Sequence, residues 1–242
     1  MENTNQPDFG NGKICYLEIP SVNIDESAAF YHSIFGWKTR TDNQGNIAFD
    51  DGVGQVSGMW IKGREPSDEI GLLVYIMVDD VAKKLDAVIT QGGRMVQPIG
   101  MDAPEVTARF SDPSGNILGL YSQPSFENGK ICYVEIPSTD INSSSEFYHN
   151  VFDWEIRTRG DGRIAFTDTV GQVSGAWILG RKPATKIGLL LSIMVDDAAA
   201  TLDLIITNGG KLVQPIGMDA PEITARFSDP AGNILNIYQH RG

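Results

Sequence analysis

The sequence predicts an α+β fold made of four copies of one βαβββ unit, arranged as two tandem domains. Three observations carry this: a long internal repeat, a strand-then-capped-helix pattern recurring inside each copy, and a glycine content that marks many short turns. GKICYLEIPS at residues 12–21 returns as GKICYVEIPS at residues 129–138. From there to Tyr121 and Tyr238 the copies stay in register at an offset of 117 residues, and about two thirds of the aligned positions are identical. Solenoid units run about 20–50 residues, so this is duplication of a whole domain. The expected domains are 1–122 and 123–242, joined by the polar, proline-containing stretch 122–128. The 26 glycines in 242 residues exceed the usual share of about 7%, as a chain of many short strands requires.

Each element has a local reason. ICYLEIP, residues 14–20, is a strand-like run, and Asn23 follows as a helix cap with Glu26 placed to answer it. Phe30, Tyr31, Ile34 and Phe35 fall at helical spacing before Gly36 and Trp37 end the helix. Three short strands are expected at 37–41, 47–49 and 55–61. The pattern then repeats: an apolar strand over 72–78, a cap at Asp79 and Asp80, and a helix with Val81, Leu85, Val88 and Ile89 on one side. Gly92 and Gly93 close that helix, and strands follow at 94–97, 107–110 and 117–121. The last two are joined by the turn Asp112-Pro-Ser-Gly-Asn116. The second copy repeats all of this.

Composition narrows the function. With 41% apolar residues the chain can bury its own core. Its formal charge of −12 would repel a polyphosphate backbone or an anionic membrane, so no nucleic-acid or membrane partner is expected. Two cysteines cannot make a disulfide framework. The first residues lack the basic and apolar segments of an export signal, and the expected location is the cytoplasm.

The run EIPSVNIDESAAFYHSIFGW followed by FSDPSGNILGLY, with second copies at Phe147-Tyr148 and Asp229-Pro-Ala-Gly-Asn233, resembles the vicinal oxygen chelate superfamily. That group contains glyoxalase I, extradiol dioxygenases, fosfomycin-resistance transferases and bleomycin-binding proteins. The resemblance covers nearly the whole chain twice. It implies paired βαβββ modules in each domain, their sheet curling into a trough for a small ligand. The duplication makes an intramolecular pseudo-dimer, for which a monomer in solution is the expectation. It also implies a divalent metal held by His, Glu or Gln on the concave face. The corresponding positions here are Tyr16 and Tyr133, Leu73 and Leu190, the stretches 58–60 and 175–177, and Gly119 and Asn236. None offers the family's donors. His32 and His149 should face solvent, and His240 lies near the C-terminus. No metal and no other cofactor is therefore expected, the alternative being an unusual metal site built on Glu18 and Glu135.

Strand alternation then nominates the trough lining. Tyr16, Trp60, Tyr75 and Tyr121 in the first copy, and Tyr133, Trp177, Asn236 and Tyr238 in the second, should surround a flat or cationic small molecule. Cys15, Leu17 and Ile19 should face the helix. Glu18 and Glu135 are candidate general bases if apolar neighbours raise their pKa. Pairing of Glu18 with Arg109 or Arg40, or exposure at the rim, are the alternatives. The segment VQPIGMDAPE, 96–105, suits a loop at the trough mouth. Three readings follow: a metal-free protein that binds a small organic molecule, an atypical or metal-free lyase or isomerase using Glu18 or Glu135, and a structural pseudo-dimer with vestigial sites.

Overall fold

The computed structural model describes residues 7–41, 45–67, 69–122 and 127–239. His240, most of the proposed linker and the first six residues lie outside them. The first unit runs β1 (Ile14–Ser21), α1 (Ile24–Phe35), β2 (Lys38–Thr41), β3 (Ile47–Asp50) and β4 (Ser57–Lys62). The second runs β5 (Leu73–Val78), α2 (Val81–Thr90), β6 (Arg94–Gln97), β7 (Val106–Ser111) and β8 (Ile117–Ser122). The third comprises β9 (Ile131–Ser138), α3 (Ile141–Phe152), β10 (Glu155–Thr158), β11 (Ile164–Thr167) and β12 (Ser174–Leu179). The fourth comprises β13 (Leu190–Val195), α4 (Ala198–Thr207), β14 (Lys211–Gln214), β15 (Ile223–Ser228) and β16 (Ile234–Gln239). These are the four expected βαβββ units.

The helix starts follow their caps. Asn23 Oδ1 accepts from the Asp25 and Glu26 amides, and Asp80 and Asp140 each accept from the amide three residues on. Gly36 ends α1 at φ 72°, a left-handed conformation that glycine takes without strain.

The units pair differently from the expectation. Two eight-stranded mixed sheets form, sheet I in the order β14-β15-β16-β13-β1-β4-β3-β2 and sheet II in the order β10-β11-β12-β9-β5-β8-β7-β6. Each sheet therefore joins one unit of the first copy to one unit of the second, through the antiparallel pairs β1·β13 and β5·β9. Within a copy the two units meet through their helix layers instead. Phe110 on β7 packs on Phe30 and Phe35 of α1 at ring separations of 6.3 and 5.8 Å. The Tyr31 hydroxyl donates to Asp112 at 3.0 Å, and Asn116 Nδ2 donates to the Pro20 carbonyl at 2.7 Å. With their helix faces thus engaged, the inner strands β1 and β5 find antiparallel partners in the other copy.

A reciprocal joint locks the exchange. Trp37 Nε1 donates to the Gly129 carbonyl and Trp154 Nε1 to that of Gly12, both at 2.7 Å. Asp51, buried, accepts from the Ile131 amide at 2.9 Å, and Asp168 accepts from that of Ile14 at 3.2 Å. Trp37 also stacks between Tyr31 and Phe49 at 4.6 and 4.4 Å, so the joint grows directly out of the aromatic core.

Burial raises the pKa of Asp51, Asp112, Asp168 and Asp229 above the ordinary value, against the hydrogen bonds each accepts. Between the unfolded value, about 3.9, and the raised folded values, the native chain binds more protons than the unfolded one. Stability therefore rises as pH falls through the folded values and levels off near the unfolded value. Relief of the chain's net negative charge acts in the same direction. The urea midpoint should be higher at about pH 5 than at about pH 8; a lower midpoint at the acidic value would contradict the sign.

Candidate functional site

The inner strands of sheet II build a trough. Alternation along β9 delivers Tyr133 and Glu135 to the concave face, β5 delivers Leu73, Tyr75 and Met77, and β8 delivers Gly119 and Tyr121. Tyr75 pairs in register with Tyr133 on one side and Gly119 on the other. Its ring meets that of Tyr133 edge-on, centroids 5.9 Å apart, and lies over Gly119, where any Cβ would overlap it. Beyond them opens a cavity of about 840 Å³, walled also by Arg157, Arg159 and Arg163 from the second copy and by Asp102 and Glu105 from the first. Asp102 is held by Gln97 Nε2 and Thr107 Oγ1, each donating at 2.7 Å, so the 98–105 loop forms part of the wall.

Glu135 is not among apolar neighbours. It is ion-paired with Arg181 and lies 3.7 Å from Arg109, and it accepts from the Tyr75 hydroxyl at 3.1 Å. Glu18 in sheet I is ion-paired with Arg64, the counterpart of Arg181. The pairing of Glu18 with Arg109 or Arg40 does not occur, because Arg109 lies in the other sheet and Arg40 turns to Asp50 at 3.3 Å. Burial pushes up the pKa of Tyr75, Tyr121 and Tyr133, with the Glu135 carboxylate adding to the rise at Tyr75. Their hydroxyls are thus held protonated, as hydrogen-bond donors.

Sheet I presents a different surface at the same positions. Ser192 stands for Tyr75 and Asn236 for Gly119, and Asn236 Nδ2 donates to Ser192 Oγ at 3.0 Å. Tyr16 and Tyr238 are half-buried beside them, at positions matching Tyr133 and Tyr121.

Two expectations about facing are corrected. Trp60 and Trp177 lie on the helix side of their sheets, not in the troughs. Trp60 pairs in register with Ile19 and packs 4.8 Å from Phe49 and 5.9 Å from Tyr31; Trp177 repeats this with Ile136, Phe166 and Tyr148. Ser57 and Met59, registered with Tyr16 and Glu18, take the concave side of β4. The expectation that Cys15 faces the helix fails at its equivalent in the second copy, Cys132, which lines the trough. Cys132 is the extra residue of a β-bulge opposite Tyr75 and Ile76, and a bulge resets the alternation. Cys15 is the extra residue of the equivalent bulge in β1. Both thiols are buried, and burial pushes each up to about 12. His32 and His149 are exposed, each bonding through Nδ1 to the carbonyl of the tryptophan five residues on. Among the described residues, no three His, Cys, Asp or Glu side chains are grouped so as to hold a metal ion, and no helix is long and apolar enough to cross a membrane.

The arginines escaped the sequence reading. Only the cross-copy assembly brings Arg157, Arg159 and Arg163 to Tyr75 and Tyr121. Comparison of the copies held the signal, because Asp42, Asn46 and Asp50 in the first become Arg159, Arg163 and Thr167 in the second.

A trough-forming βαβββ unit used four times defines a glyoxalase-type fold. The family model described as Glyoxalase/Bleomycin resistance protein/Dioxygenase superfamily matches residues 13–120 and again 130–237, and the chain belongs to that superfamily. The anthracycline biosynthesis protein DauV of Streptomyces sp. (strain C5) is 24% identical over 264 residues, covering 96% of this chain and 95% of its own. A glyoxylase-like domain-containing protein of Didymella fabae is 27% identical over 130 residues, 47% of this chain and 96% of its own. Among solved structures, glyoxalase I from Zea mays superposes with a TM-score of 0.74 at 17% identity, over 94% of this chain and 92% of its own. A putative dioxygenase from Bacillus subtilis superposes with a TM-score of 0.67 at 11% identity, over 96% and 86%. At such identities the structures speak for the fold alone.

Proposed function

We propose that the chain binds a flat aromatic small molecule in the trough of sheet II, without the metal that its superfamily commonly employs. The observation that carries this is the cavity of about 840 Å³ walled by Tyr75, Tyr121 and Tyr133, a volume within the range of small-molecule sites. The family's ligand positions in this trough hold Tyr133, Leu73, Gly119 and the stretch Gly175, Ala176, Trp177, with the Tyr75 ring over Gly119. That donor set does not fit a divalent ion, so no step is routed through one. Glu18 and Glu135 are each held by arginine, which favours binding over base catalysis, and an open cavity favours it over a vestigial site. Two Streptomyces relatives spanning 96% of the chain are named for the biosynthesis of anthracyclines, which are flat polycyclic aromatics. That the two copies complete both sheets between them supports a monomer as the acting form.

Calorimetric titration with 2-naphthol and 2-naphthoate should show saturable binding at one site per chain. Tyr121→Ala and Tyr133→Ala should each weaken it by about three- to tenfold, the worth of one aromatic contact. Failure of both probes to bind, indifference to both variants, or a stoichiometric, tightly held transition metal in the purified protein would reject the proposal.

A further inference from the structure

The two troughs differ in charge, and the difference centres on one strand pair. In sheet I, Arg40 Nε lies 3.3 Å from Asp50 Oδ2, and Ser57 Oγ donates to Asp50 Oδ1 at 2.6 Å. In sheet II, Arg157 stands for Arg40 and Ser174 for Ser57, but Thr167 replaces Asp50. Among the described residues, the Arg157 guanidinium donates from Nη2 to the Thr167 hydroxyl and to Ser174 Oγ at 3.4 Å. Other cations of that wall are answered: Lys130 by Glu127, Arg159 by Glu105 at 3.2 Å and Arg163 by Asp161 at 2.7 Å; Arg109 and Arg181, outside the lining, are answered by Glu135. Arg157 lines the cavity and, among the described residues, makes no ion pair with a carboxylate.

Resting on the ligand-binding reading, we infer that the trough of sheet II selects an anionic aromatic molecule, one bearing a carboxylate or phenolate, and that Arg157 anchors that group. The trough of sheet I, where Asp50 already occupies the matching guanidinium, does not. A guanidinium has five N–H donors in a planar fork matched to a carboxylate, and a charge-assisted pair of this kind is roughly twice as strong as a neutral hydrogen bond. The tyrosines of the same cavity supply the aromatic contact. The chain's overall charge of −12 does not oppose this at close range, because salt screens exposed charges beyond about 8 Å at physiological ionic strength.

The test compares three probes of one shape at pH 7: 2-naphthoate, 2-naphthol and 2-naphthylmethylammonium. Naphthoate should bind about tenfold or more tightly than either of the others. Thr167→Asp, which copies the arrangement sheet I already accommodates, should weaken naphthoate by about tenfold and leave naphthol unchanged, with circular dichroism confirming the fold. Asp50→Thr, the mirror change in the other trough, should leave the affinity of sheet II for naphthoate unaltered. If the ammonium probe binds as tightly as naphthoate, or Thr167→Asp does not weaken naphthoate, the anion anchor is wrong while the binding reading stands. If none of the three binds, the binding reading itself fails.

Discussion

Asp51→Ala is expected to lower the unfolding free energy by about 3–5 kcal/mol, since each unsatisfied buried donor costs about 1–3 kcal/mol. The Asp51 carboxylate accepts from Val53 at 3.3 Å and Gln55 at 2.8 Å within its own turn, and from Ile131 at 2.9 Å in the other copy. It is 1% exposed, so water cannot replace it without opening the joint. Asp168→Ala should behave alike, because Asp168 accepts from Gln172, Val173 and Ile14. Against a total stability of about 5–15 kcal/mol, the double variant should be largely unfolded at room temperature. Urea unfolding checks all three, and a loss under about 1 kcal/mol in both single variants would mean that the carboxylates do not clamp the copies.

Gly119→Asn should destabilise the chain by about 1–3 kcal/mol, the usual cost of overpacking, and abolish aromatic binding in sheet II. The new side chain would occupy the space of the Tyr75 ring. Tyr75→Ser in the same chain should restore stability, because the pair then becomes the one that sheet I carries, Ser192 and Asn236, bonded at 3.0 Å and matched in the same register. A double-mutant cycle read by urea unfolding should show a favourable coupling of at least about 1 kcal/mol, while naphthol and naphthoate binding stays lost. Strict additivity would show that the two positions do not share one volume.

These variants also mark where sequence reasoning reaches and where it stops. Alternation placed Tyr121 and Asn236 on concave faces because their strands pair in unbroken register, and Tyr75 and Tyr133 because both stand on the same side of the β5·β9 bulge as Leu73 and Glu135. It failed at Cys15 and its equivalent Cys132, since a bulge adds a residue without any sequence mark, and at Trp60, since the face of β4 depends on its parallel register with β1. Glu18 and Glu135 are on the predicted face, yet their chemistry depends on Arg64 and Arg181, each 46 residues further along the chain.

The sequence by itself determined the four units, their caps and turns, the duplication and the superfamily. Those depend on local backbone preference and on apolar periodicity, which short segments express alone. Only the tertiary structure decided which units share a sheet. Leu73–Val78 reads LVYIMV and Leu190–Val195 reads LLSIMV, so β1 is offered two nearly equivalent partners and no local signal separates them. The choice belongs to the aromatic packing inside each copy and to the Trp37, Trp154, Asp51 and Asp168 joint between copies. That choice carries Arg157 from one copy to the tyrosines of the other, and a site assembled across the duplication cannot be read from either copy alone.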